Sequence, residues 1–197
     1  METMGNIILL AGKSGSGKSS VAEYLGKKYG LRQVLSYTTR PKRGSEDNTH
    51  IFLSNAEFDK IKEEDMVAYT EFAGYRYCAT QEMVDKADIY VIDPDGILTF
   101  KKRYTGMNVE IPIYLNVTKR ERFRRMLNRG DSVEMAEKRI INDDEKFSSI
   151  MECHPITINA THKTVEEVGE EILDRIMPYA QFQLDIEDEI NARNYDR

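Results

Sequence analysis

The sequence predicts a three-layer α/β domain built on a parallel central sheet. β-Branched or aliphatic runs at Ile7–Leu10, Ile89–Ile92, Ile113–Val117 and Ile156–Ile158 are apolar on both faces, and helical patterns lie between them. A glycine-rich segment, Gly12–Ser19, stands between the first of these strands and the first helical stretch. An open parallel sheet with helical connections satisfies all three observations.

In chain order, Val21, Ala22, Leu25 and Tyr29 give the first helix its inward stripe. From Leu35 to Phe72 the segments are shorter and more β-like, so this region is read as an inserted mixed β/α piece. Within it Ser54 and Glu57 form a capping box ahead of Phe58 and Ile61. Phe123, Met126 and Leu127 share one stripe of a basic helix over Lys119–Arg129, and Arg122, Arg125 and Arg129 share another. Gly130 and Asp131 end that helix, and a second helical stretch carries Arg139 toward Asp143, Asp144 and Glu145. Thr164 and Glu167 repeat the capping box before Val168, Ile172 and Ile176. The expected organisation is one domain over 1–180, with a core of 1–34, 88–118 and 149–180 and inserted regions at 35–87 and 119–148; residues 181–197 form an acidic tail.

A chain of 197 residues can bury a sizeable core without staples. The two cysteines, Cys78 and Cys153, lack metal-ligand spacing and read as buried or incidental thiols. The longest clean apolar run, Ile7–Ala11, is far too short to span a bilayer, so a cytoplasmic protein without a membrane partner is expected. A net charge of −6 argues against a nucleic-acid partner. Basic residues nevertheless cluster at Lys13–Lys18, Arg40–Arg43 and Lys119–Arg129, which suits a small polyanion held in a focused cleft. Nothing in the sequence sets an oligomeric state.

Gly12-Lys13-Ser14-Gly15-Ser16-Gly17-Lys18-Ser19 satisfies G-x-x-x-x-G-K-[ST], and it has the required strand before it and helix after it. Glycines let successive amides turn inward, and the helix N-terminus adds partial positive charge. Lys18 then reaches the β and γ phosphates of ATP, and Ser19 ligates Mg2+. Ser20 completes this expected donor site.

Ser36-Tyr37-Thr38-Thr39-Arg40-Pro41-Lys42-Arg43 packs hydroxyls and guanidiniums into a few residues and reads as a second anion site. Arg40 and Arg43 can each fork onto a phosphate, with Pro41 restricting the backbone between them. Taken alone, such a loop is as readily a solvated surface.

Together these motifs resemble the guanylate kinase family, whose members carry G-x-S-G-x-G-K-[ST] and then S-x-T-T-R with a second Arg shortly after. The resemblance continues through His50-Ile51-Phe52, Phe72–Tyr77, Val91–Gly96 and Arg125–Gly130, covering about residues 6 to 177. It implies a P-loop NTPase fold with an acceptor-binding insertion and a hinged helical lid. It further implies that Arg40, Arg43 and Tyr77 grip the acceptor phosphate, with His50 alongside them and Ser36 near the base. Asp93 would organise magnesium through water and Asp95 would approach the guanine. Arg125 and Arg139 would close on the transferring phosphoryl, and Arg129 and Asn159 would lie by the donor base. Lys18, Arg40, Arg125 and Arg139 are thus the expected catalytic set.

Three positions depart from the family. His50 stands where it has a phosphate-gripping Tyr, Cys78 where it has Gly, and Ala68 where it has a guanine-reading Glu. Glu71 is nearby, but an offset of three along a strand puts it on the opposite face.

The function implied is ATP-dependent phosphorylation of a nucleoside monophosphate, led by GMP and dGMP; another (d)NMP or ribose 1,5-bisphosphate stays open. Asp93-Pro94-Asp95-Gly96 also satisfies the D-x-x-G of GTPase switches, but no N-K-x-D accompanies it. A non-catalytic interaction module of the same family typically has a degraded P-loop, whereas Lys18 and Ser19 are intact.

Overall fold

The computed structural model describes residues 5–42, 44–45, 48–72 and 74–179. Its central sheet is four parallel strands, in the order β6-β1-β7-β8. These are β1 (Asn6–Gly12), β6 (Ile89–Val91), β7 (Val109–Asn116) and β8 (Ile156–Asn159). A parallel bridge between Gln33 and Ile89 extends the edge beside β6. All four apolar runs read from the sequence are strands of this sheet. β7, however, starts at Val109 rather than Ile113. The extra turn of strand contains Pro112, which counts against a strand in sequence. It is tolerated because β7 pairs with β8 only from Ile113 onward, so the missing N–H costs no ladder bond on that side.

Alternation along β1 sorts its side chains into two layers. Ile8 and Leu10 face Val21, Ala22 and Leu25 of α1 (Lys18–Tyr29), together with Val168 and Ile172 of a helix described over 165–179, α7. Ile7, Leu9 and Ala11 face Ile97 and Phe100 of α4 (Pro94–Arg103) on the other side. With side chains standing on alternate faces of a pleated strand, an apolar run becomes the middle of three layers.

The region read as an insertion forms a second sheet in the order β3-β2-β5-β4. Its strands are β2 (Tyr37–Thr38), β3 (Ile51–Phe52), β4 (Met66–Phe72) and β5 (Tyr75–Thr80). The short helices α2 (Asn55–Phe58) and α3 (Gln81–Asp85) accompany it. Ser54 caps α2 as predicted, accepting from the Glu57 amide while the Glu57 carboxylate accepts from the Ser54 amide at 2.8 Å. Thr164 and Glu167 make the same reciprocal pair, at 2.8 and 3.2 Å. Phe58, pinned by its cap, packs with Met66 and Cys78 into the small core of this sheet.

Two helices, α5 (Lys119–Asn128) and α6 (Val133–Lys146), stand over the C-terminal end of the central sheet. Met126, Ala136 and Ile140 join them, flanked by Phe123 and Leu127, which is the apolar stripe expected of the basic helix. No described helix is long and apolar enough to cross a membrane. Both cysteines are buried, and desolvation pushes the Cys78 thiol up to about 12, so it behaves as an inert core residue. The acidic tail, 181–197, lies outside the described residues.

Candidate active site

Strand β1 delivers Gly12 to the mouth of the sheet, and the chain then wraps into α1 through two left-handed glycines, Gly15 (φ 77°) and Gly17 (φ 94°). A side chain at Gly15 would also drive its Cβ to 2.6 Å from the Arg122 carbonyl. Only glycine meets both demands. Lys18, the first residue of α1, folds back so that its ammonium donates to the carbonyl of Gly12, with Lys13 O at 3.4 Å. Burial pushes the Lys18 ammonium down to about 8, opposed in part by Asp143 and Asp93 and reinforced by Arg129 and Arg122. Ser19 and Ser20 follow, exposed toward the cleft.

A single cavity of about 700 Å³ runs from this loop to the second sheet. At its far end are Ser36, Arg40, His50 and Tyr77, all predicted acceptor residues. Ser36 Oγ lies 3.0 Å from His50 Nδ1, and the imidazole meets Tyr77 edge-on at 5.6 Å and Phe52 at 6.2 Å. Arg40 is 8 % exposed, its guanidinium 5.1 Å over the Phe52 ring and donating to Pro41 O. Ala68 and Thr70, two apart on β4, also line the cavity, as does the buried Tyr90, whose phenol burial raises in pKa.

Arginines from α5 and α6 form the third wall. Arg125, Arg129 and Arg139 all reach the cavity. Arg125 is fastened by Glu121 at 2.8 Å and by donation to the carbonyls of Ala160 and Thr161 at 3.1 and 3.3 Å. Arg129 and Arg139 share Asp131, at 2.7 and 3.5 Å.

Asp93 caps α4, accepting from the Gly96 amide at 2.8 Å, and its other oxygen meets Thr70 Oγ1 and Lys146 Nζ, each at 2.9 Å. Lys146 was not singled out in the sequence. It sits at the end of α6, 76 residues from its Thr70 partner, and no local pattern signals that meeting. Arg122, read as part of a cationic face, is instead buried against Asp143.

Three sequence-predicted residues lie elsewhere. Asp95, in the first turn of α4, is half exposed, approaches Lys146 at 3.5 Å and lines a separate groove with Glu71. Asn159 ends β8 and uses its side-chain oxygen to accept from the Thr161 amide at 3.2 Å, away from the cavity wall. Lys13 is turned to Asp144 at 2.6 Å. Arg43 lies outside the described residues.

A family profile described as "AAA domain" matches residues 8–148. A guanylate kinase of a Polaromonas species is 31% identical over 172 residues, covering 81% of this chain and 82% of its own length. The chain belongs to the guanylate kinase family. A Helicobacter pylori guanylate kinase is 30% identical, with 83% and 84% covered. The crystal structure of guanylate kinase from Anaplasma phagocytophilum matches the fold at a TM-score of 0.60 and 22% identity, covering 90% of this chain and 87% of that one. Against this guanylate kinase background, Ala68 is 1 % exposed and faces the cavity, whereas Glu71 is exposed and accepts from the Tyr69 hydroxyl at 2.6 Å.

Proposed function

We propose that this protein transfers the γ phosphoryl group of ATP to GMP or dGMP, giving ADP and the nucleoside diphosphate. The observation that carries the reading is the single cavity with Gly12–Ser20 at one end and Ser36, Arg40, His50 and Tyr77 at the other, in a chain about 30% identical to curated guanylate kinases over most of its length. Phosphoryl transfer asks the protein for positioning and charge more than for a nucleophilic side chain. An oxygen of the acceptor phosphate attacks the γ phosphorus in line, the bond to the β–γ bridging oxygen breaks, and ADP leaves. Lys18, Arg40, Arg125 and Arg139 neutralise the charge that spreads over the transferring group. Arg43, in the same segment as Arg40, adds a second fork to the acceptor phosphate. Residues 119–148 act as the lid and 35–87 as the acceptor-binding region, closing to exclude water.

The donors present fit magnesium. Ser19 offers a hydroxyl beside the loop and Asp93 a carboxylate inside the cavity, while the described residues contain no cluster of three His, Cys, Asp or Glu that would make an all-protein cage. Mg2+ typically takes few protein ligands and completes its shell with water and substrate phosphates, where it neutralises β and γ oxygens. Sequence and fold fit a cytoplasmic enzyme of nucleotide metabolism.

ADP release coupled to a spectrophotometric signal, measured over GMP, dGMP, AMP, IMP, pyrimidine monophosphates and ribose 1,5-bisphosphate, tests the assignment. GMP or dGMP should give the highest kcat/KM. Turnover confined to a pyrimidine nucleotide or to the sugar bisphosphate overturns it.

A further inference from the structure

Asp143 and Asp144 lie in the last turn of α6, where negative charge opposes the helix dipole. What they touch offsets that cost. Asp143 Oδ2 accepts from the Ser14 amide at 2.7 Å and Oδ1 from the Ser14 hydroxyl at 3.2 Å, across 129 residues of sequence. Arg122, from α5, pairs with the same carboxylate at 3.2 Å, and both side chains are almost wholly buried, at 3% and 4% exposed. Beside them Lys13 pairs with Asp144 at 2.6 Å, and the Arg122 carbonyl closes over Gly15. Two consecutive residues of the phosphate-binding loop are therefore held by two consecutive residues of α6, with α5 wedged between.

The geometry points to Asp143 as a positioning residue for the donor site: through Ser14 and Arg122 it holds the outer shoulder of the phosphate-binding loop in its binding conformation and ties that loop to the two arginine-bearing helices. This rests on the reading that the loop takes ATP. Asp143 lines the cavity beside the loop, with its carboxylate committed to Ser14 and Arg122. A loop whose amides must converge on phosphates binds weakly in proportion to the time it spends elsewhere, so such an anchor sets affinity by holding the loop. Asp143 also acts on the Lys18 charge, raising its pKa while Arg122 lowers it. Removing Arg122 and Asp143 together therefore disturbs the field at Lys18 less than removing Asp143 alone, and Asp144, 3.9 Å from Arg122, does not take over that role.

Two variants test this, each measured for ATP binding by calorimetry without acceptor, for the KM of each substrate, and for Tm. Asp143→Asn keeps the shape but removes the charge that serves both Ser14 and Arg122. Arg122→Met with Asp143→Leu removes both buried charges together, a change that commonly leaves stability intact or raised, and it leaves the Ser14 amide without its anchor. Both should bind ATP about tenfold or more weakly, the lower end of what a charge-assisted hydrogen bond contributes, with the acceptor KM moving by less than about threefold. The double variant should keep the wild-type Tm. A purely structural pair predicts the opposite split: a lower Tm in Asp143→Asn, and wild-type ATP affinity in the double variant. ATP affinity within about threefold of wild type in the double variant, or in Asp143→Asn should the double variant not fold, overturns the proposal. If the wild-type protein binds no ATP, the donor-site reading itself fails and the anchor falls with it.

Discussion

Ala68→Glu puts a carboxylate into the wall of the acceptor cavity at the point where the family carries one. In the wild-type protein that wall is neutral: Ala68 is 1 % exposed, Thr70 is committed to Asp93 and Lys146, and the polar groups deeper in are Ser36 and Tyr90. Glu71 is turned to the neighbouring groove and bound by Tyr69. Guanine's ring N–H and amino group therefore meet no ionised acceptor on β4. A hydrogen bond to a charged group contributes about 1.5 to 3 kcal/mol, or roughly 10 to 150-fold. Wild-type preference for GMP over IMP or AMP should be weaker by that order, and Ala68→Glu should sharpen it by about tenfold or more. The cavity of about 700 Å³ has room for the longer side chain. Without nucleotide the new carboxylate is buried and unpaired, so the variant should lose Tm and regain it when GMP binds. Competitive kcat/KM measurements on both proteins are the assay. Strict wild-type GMP selectivity, unaltered by Ala68→Glu but lost in Glu71→Gln, would refute the reasoning and make Glu71 the reader of the base.

Lys18→Ala should cut kcat by at least ~10², by comparison with losing one preorganised electrostatic donor, while Tm stays near wild type; near-normal turnover would sink the phosphate-loop mechanism. Because burial holds Lys18 down at about 8 in the unliganded protein, its charge is present below that pH and lost above it. The kcat/KM for ATP, which reports groups of the free enzyme, should decline as pH rises through about 8, and a profile flat to about pH 10 would refute this. Arg43→Ala should raise the acceptor KM about tenfold or more with little change in the ATP KM, as expected for losing a charge-assisted fork; steady-state kinetics with each substrate varied decides it, and a rise in the ATP KM instead would reverse the division of the two sites.

Much of the donor site was legible because its information is contiguous. Gly12–Ser19 lies between its own strand and helix, and both left-handed glycines fall inside the motif. The four sheet strands were legible because burial on both faces leaves unbroken apolar runs, and β7 was under-read where Glu110 and Pro112 break the run. The two capping boxes are four-residue devices and need no tertiary information. The acceptor end was harder: Ser36 and Arg40 flank β2, His50 precedes β3 and Tyr77 lies in β5, and without the family resemblance nothing local says that they share a wall.

By itself, then, the sequence determined the parallel sheet, the phosphate-binding loop and the basic character of α5, all set by patterns with a period of two to four residues or by one eight-residue motif. Tertiary structure alone decided which charges serve the cleft. Along α5 it buries Arg122 against Asp143 while Arg125 reaches the cavity, although the two arginines stand three apart on one stripe. On α4 it keeps the capping Asp93 inside and turns Asp95 out, and it brings Lys146 from the far end of α6 onto Asp93. The physical reason is that a charge's role depends on its desolvation and its partner, and both come from other elements of the chain, as far as 129 residues away for Asp143 and Ser14, which no local period encodes.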